Sequence, residues 1–174
     1  TLSYHMAGTQ NFLLTLGMGE TDKVTNMLRQ LMPATIAFID AQFRAGADIV
    51  VLADHATGNL VGPYHYEELL LPIHQEITAQ VGGPLILHVC GNCSDRLELF
   101  ASSGVDGYHF EWQIDSREAV RRVGDEISLV GNINNPQVLL QGTPEDVYKK
   151  ARYEIKAGVQ IITPELGIQL TTSL

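Results

Sequence analysis

The residues able to do chemistry in this chain gather where apolar runs stop. The clearest case is Pro84-Leu85-Ile86-Leu87-His88-Val89-Cys90-Gly91-Asn92-Cys93. It opens as an uncharged strand and ends in His88, Cys90, a glycine and a second cysteine. A strand repeats every two residues, so His88 and Cys90 point to one side. An imidazole nitrogen and a thiolate sulfur on one side form a natural pair for zinc. The competing explanation is a buried histidine beside inert core thiols.

Other apolar runs end the same way. Ile49-Val50-Val51-Leu52-Ala53 stops at Asp54-His55, and Gly107 to Phe110 stops at Glu111. Ile127 to Val130 stops at Gly131-Asn132, and Val159 to Ile162 leads to Thr163-Pro164-Glu165. Asp54 is the candidate catalytic and substrate-binding carboxylate; its alternatives are a bond to a metal ligand or a loop cap. Asn132 is the candidate substrate-binding amide, with a turn role as the alternative. Cys93 falls at a helix start, where the dipole lowers a thiol pKa, although an ordinary helix residue explains it as well. His5, His65, His74 and His109 read as structural or exposed. Trp112 either lines the mouth of a site or packs under a loop.

These tips need a scaffold, and the intervening sequence supplies one. From Thr21 the apolar residues Val24, Met27, Leu28, Leu31, Ile36, Ile39 and Phe43 fall at spacings dominated by three and four. That is a long amphipathic helix, kinked at Pro33 and stopped near Gly46. Tyr64 to Val81 reads as a helix containing Pro72, and Ser94 to Ser103 as a short helix. Asp115 or Ser116 opens a helix to Val123, and Thr143-Pro144-Glu145-Asp146 opens another to Ala157. Asn11 to Leu16 reads as a short lid or helix. Strands are expected near 1–7, 49–53, 84–89, 107–110, 127–131 and 159–163. Six strand–helix units imply a parallel sheet with helices outside. Polar groups at successive C-terminal tips are the layout of a TIM-type (β/α)8 barrel. A full barrel needs about 250 residues, so the α/β chain, residues 1–174, is expected to be one domain holding part of a barrel.

Composition narrows the function. The net charge is −9, which argues against nucleic acid as a partner. Two cysteines three positions apart are no disulfide framework, so a cytoplasmic location is expected. No stretch reaches the ~20 apolar residues of a membrane span, so no membrane association is expected. Neither GxGxxG nor GxxxxGK[ST] occurs.

Several stretches together resemble the uroporphyrinogen decarboxylase superfamily. They are Ala45-Gly46-Ala47-Asp48 through Asp54, Leu87 to Asn92, Leu129 to Ile133, Gly142 to Val147, and Pro164 to Ile168. Within the superfamily, His88-Val89-Cys90-Gly91-Asn92 resembles the zinc-dependent methylcobamide:coenzyme M methyltransferases. The resemblance implies a zinc ion held by His88 and Cys90, with Glu111 at the next tip as a further ligand. It implies a methylcobamide (corrinoid) methyl donor on a corrinoid protein partner, and a small-molecule thiol such as coenzyme M as acceptor. The family's distant ligand cysteine is replaced here by Leu166. Adjacent strands lie about 4.8 Å apart, so His88, Cys90 and Glu111 can converge on one ion. The alternatives are a decarboxylase, another superfamily methyltransferase or demethylase, and a non-catalytic remnant, for which Leu166 is the argument. A decarboxylase site would want arginines at the tips, and none is assigned there.

Overall fold

In a computed structural model the apolar runs form five parallel strands, hydrogen-bonded in chain order. Residues 1–165, 167, 168 and 172 are described. Three helices come first: α1 (Leu2–Ala7), α2 (Thr9–Gly17) and α3 (Thr21–Arg44). Then follow β1 (Val50–Asp54), α4 (Pro63–His65), a π-helical turn (Tyr66–Leu70) and α5 (Leu71–Thr78). Next are β2 (Leu85–Val89), a 3-10 turn (Ser94–Arg96), α6 (Leu97–Ala101), β3 (Gly107–His109) and α7 (Ser116–Val123). The chain continues through β4 (Ser128–Ile133), a second π turn (Asn135–Leu140), α8 (Pro144–Ala157) and β5 (Ile161–Pro164). The result is a partial barrel.

One expected strand is a helix. Residues 1–7 alternate Leu2, Tyr4, Met6, which reads as a strand over so short a window. They form α1 instead, and Tyr4 packs edge-on against Phe12 of α2 with ring centroids 5.0 Å apart. The sheet among the described residues therefore has five strands, not six. The segment 11–16 lies inside helix α2.

Local signals account for the remaining elements. α3 keeps Pro33 within it and ends at Gly46, whose φ of 99° is the left-handed turn expected there. Ala47 N–H donates to the Gln42 carbonyl and Gly46 N–H to that of Phe43, which satisfies the last carbonyls of the helix. Pro72 cannot donate to the carbonyl four residues back. The turn ahead of it is π-helical, with Leu71 N–H donating to Tyr66 O. Asp115 caps α7 by accepting from Glu118 N–H, and Thr143 and Asp146 form a reciprocal capping box at α8.

Strand register divides the sheet into two faces. Leu52, Leu87, Tyr108 and Leu129 lie side by side. Their row packs toward the helices, where Tyr108 meets Phe100 of α6 with centroids 4.4 Å apart. Leu87, Tyr108, Leu129, Phe100 and Phe110 are fully buried, each worth roughly 1.5–3 kcal/mol. The other row is Ala53, His88, His109, Val130 and Ile161. It faces the concave side, where the tips carry their polar groups. No described helix is long and apolar enough to cross a membrane.

Candidate metal centre

His88 is the buried penultimate residue of β2, and Cys90 follows two residues later on the same side. His88 Nε2 and Cys90 Sγ are 3.1 Å apart. Glu111, just past β3, joins them: one ligand atom from each of the three lies within 4.8 Å of the others. The chain turns at Gly91, whose φ of 81° suits glycine. Gly91 N–H donates to Glu111 Oε2 at 2.8 Å, tying the two tips together. The loop after β1 packs closely here: a Cβ on Gly58 would overlap the Asn92 carbonyl.

The electrostatics of this cluster lack a positive charge. Burial, and the neighbouring His109, push His88 down to about 4, so its imidazole is neutral near pH 7. Burial and then the Glu111 carboxylate push the Cys90 thiol up to about 11. Among the described residues no lysine or arginine bonds to any of the three, and buried His88 Nδ1 has no partner. A neutral imidazole, a thiol and a carboxylate are nitrogen, sulfur and oxygen donors that suit zinc. Tetrahedral zinc bonds of 2.0–2.3 Å would set donors about 3.5 Å apart, a spacing the observed cluster brackets. The three residues fit a zinc ion with one coordination position left open.

Other candidates are placed elsewhere. Cys93 precedes the Ser94–Arg96 turn, fully buried, with Sγ 3.6 Å from the Cys90 carbonyl. Burial raises its pKa, with Arg96 opposing; desolvation outweighs any helix-end effect. Glu165 turns its carboxylate to backbone N–H groups, those of Trp112 at 3.1 Å and Asn135 at 3.4 Å. Burial raises its pKa, those two bonds oppose it, and the charge of Glu111 adds to the rise. Leu166 lies outside the described residues. Trp112 is 46% exposed at the rim.

At the β1 tip Asp54 is part of a closed network. Its Oδ1 accepts from Ala56 N–H at 3.1 Å, and its Oδ2 from His74 Nε2 at 3.0 Å. His74 Nδ1 meets the Tyr66 hydroxyl at 2.8 Å. Burial alone would raise the Asp54 pKa; the bond and charge of His74 outweigh it and hold the carboxyl well below its usual range. Asp54 and His74 also line a largely apolar cavity of about 560 Å³ between β1, α1 and α3. None of His88, Cys90 and Glu111 lines it. Asn132 is fully buried at the β4 tip. Its Nδ2 donates to the carbonyls of Glu111 and Ile114, and its Oδ1 has no partner among the described residues.

Sequence reading left His74 and His109 as structural or exposed without naming their partners, and did not single out Arg96. His74 lies between Ile73 and Ile77 on the buried face of α5, and a polar group there needs a partner; that signal was readable. His109 packs against His88 with tilted rings whose centroids are 4.7 Å apart, and its Nε2 lies 3.1 Å from the Pro164 carbonyl. Arg96 is buried and donates to the Val61 carbonyl at 2.6 Å, joining the loop after β1 to the turn after β2. No local pattern announces that contact.

The chain belongs to the uroporphyrinogen decarboxylase (URO-D) family, whose description matches residues 1–174. It is 30% identical over 176 residues to the methylcobamide:CoM methyltransferase MtaA of Methanosarcina barkeri, covering 100% of this chain and 52% of that protein. It is 37% identical over 135 residues to the uroporphyrinogen decarboxylase of Coxiella burnetii, covering 74% of this chain and 36% of that protein. A solved methyltransferase from Methanosarcina mazei superposes with a TM-score of 0.93 at 25% identity, over 98% of this chain and 51% of that one. The chain thus spans about half the length of the curated methyltransferase it matches. Its relatives are methyltransferases and decarboxylases.

Proposed function

We propose that the protein is a zinc-dependent methyltransferase that moves a methyl group from a methylcobamide, carried by a corrinoid protein, to a small thiol such as coenzyme M. The observation that carries this reading is the convergence of His88, Cys90 and Glu111 with no cation among them. Neutral His88 offers a lone pair without first losing a proton. Cys90 gives up its thiol proton as it becomes a ligand. Glu111 adds negative charge and is held in place by Gly91 N–H. Bound there, zinc would act as a Lewis acid, lowering the pKa of a substrate thiol from its free value of about 8.5 so that the proton passes to solvent and the sulfur stays nucleophilic. Asp54 would contact substrate as a fixed carboxylate, its direction set by His74. Asn132 would do so only through Oδ1, because its donors are engaged.

A decarboxylase reading is favoured by the 37% identity to the Coxiella burnetii enzyme. It leaves the His88–Cys90–Glu111 cluster without a task. Elemental analysis of the purified protein, with a methylcobalamin-to-coenzyme M assay, separates the two. The expected result is retained zinc and methyl transfer, both removed by a chelator and by His88→Ala. A metal-free protein that releases carbon dioxide from a porphyrinogen would overturn the proposal.

A further inference from the structure

Two of the three buried asparagines at the tip of β4, Asn132 and Asn135, reach sideways in opposite directions. Asn132 Nδ2 donates to the carbonyls of Glu111 at 3.3 Å and Ile114 at 3.1 Å, in the turn that follows β3. Asn135 Nδ2 donates to the carbonyls of Glu165 at 3.1 Å and Gly167 at 2.8 Å, in the segment that follows β5. The middle strand tip thereby braces both of its neighbours. One of them carries Glu111.

We propose that Asn132 is a positioning residue of the metal centre, holding the Glu111 carboxylate against His88 and Cys90 by clamping the Glu111–Ile114 turn to β4. The inference rests on the metal reading of that cluster. The turn has one backbone bond of its own, from Ile114 N–H to the Glu111 carbonyl at 3.0 Å. Its outer residues Trp112 and Gln113 are exposed, and Ile114 is the residue of the turn that packs into the core. Glu111 is held at its carboxylate by Gly91 N–H and at its carbonyl by Asn132 Nδ2 and Ile114 N–H, while Trp112 N–H on Glu165 ties the same turn to the β5 side. The task needs an amide. Both Nδ2 protons are directed at carbonyls, and the isosteric carboxylate of aspartate would have only acceptors to offer them. Releasing the turn would let the Glu111 oxygen drift from the other two donors. Groups that orient metal ligands in this way typically affect affinity about 10–100-fold.

A double-mutant cycle tests this in the purified protein. Zinc affinity is measured by competition with a chromogenic chelator for wild type, Asn132→Leu, Glu111→Gln and the double variant. Leucine has nearly the size of asparagine and removes both donors without adding charge. Asn132→Leu is expected to weaken zinc about 10–100-fold in the wild-type background. In the Glu111→Gln background the same change should weaken it less than about threefold, because the group being positioned is already lost. Equal factors in both backgrounds would mean a general loosening of the fold and overturn the proposal, as would an unchanged affinity for Asn132→Leu. A wild-type protein that binds no zinc overturns the metal reading itself, and the wild-type titration alone reveals this. If Asn132→Leu does not fold by thermal melt, Asn132→Ser is carried through the same cycle. Cobalt(II) supplies a spectroscopic check: the visible bands of the Asn132 variant should move toward those of Glu111→Gln. Bands identical to wild type would count against it.

Discussion

The tips of β1 and β2 carry similar residues in opposite states. At β1 an acid and a histidine form a satisfied chain: Asp54 binds His74 and Ala56 N–H, and His74 meets Tyr66. At the β2 and β3 tips a histidine, a thiol and an acid converge, bonded to one another and to Gly91 N–H but to no lysine or arginine among the described residues. His88 Nδ1 is unmatched among the described residues, and three electron-rich groups face one another without a counter-charge. A satisfied buried network holds its members rigid. A buried polar group left unpaired marks a candidate position for a ligand, water or ion. The β1 network is thus the satisfied region, and the β2–β3 cluster is the candidate site.

The contrast can be broken by removing one group from each region. Cys90→Ala or His88→Ala should lower zinc affinity by at least about 100-fold, beyond the upper end for groups that only orient ligands. Chelator competition measures this, and unchanged affinity would make the cluster an ordinary core. Thermal stability of the metal-free protein should change little in Cys90→Ala, which is partly exposed, and fall in His88→Ala, which leaves a cavity in the core.

The next effect is set by pH. A Cys90 thiol pushed up to about 11 must lose its proton to bind metal. Below that value zinc affinity should rise about tenfold per pH unit, with proton release seen by calorimetry in buffers of different ionisation enthalpy. His88, pushed down to about 4, adds a second dependence only below that pH. A flat profile from pH 6 to 8 would remove Cys90 from the ligand set.

A smaller effect, read in stability, belongs to the β1 tip. His74→Ala should destabilise the fold by about 2 kcal/mol, because Asp54 loses its charged-group hydrogen bond. Zinc affinity should shift less than about threefold, as expected of independent sites. The acid limb sharpens the test. Asp54 has a depressed folded pKa, so its stabilisation is present above the unfolded value near 3.9 and is lost as pH falls below it. Urea titrations should show a shallower acid limb in His74→Ala. A zinc affinity that falls in step with stability would join the two regions into one. The smallest change is Tyr66→Phe, expected to remove about 1 kcal/mol by taking the hydroxyl from His74 Nδ1. A melt equal to wild type would show that the chain ends at His74.

Much of this architecture was legible in the sequence because its signals are local. Apolar runs that stop at Asp54, His88 and Glu111 mark strand tips. Thr143-Pro144-Glu145-Asp146 names its own helix start. Strand period alone puts His88 and Cys90 on one side, a consequence of backbone geometry that no packing is needed to establish. The one misread element, residues 1–7, is too short for period two and period 3.6 to be told apart, and packing of Tyr4 on Phe12 resolved it. Tertiary structure alone decided which polar groups are partnered. Asn132 and Asn135 are the same residue type three positions apart, yet they brace opposite neighbours. Glu111 and Glu165 are both acids past strand ends, yet one joins His88 and Cys90 while the other caps backbone N–H groups. Those assignments depend on contacts between residues far apart in sequence, such as the 53 positions between Trp112 and Glu165. A chain read in order carries no measure of such distances, because hydrogen bonds form or fail over a few tenths of an ångström.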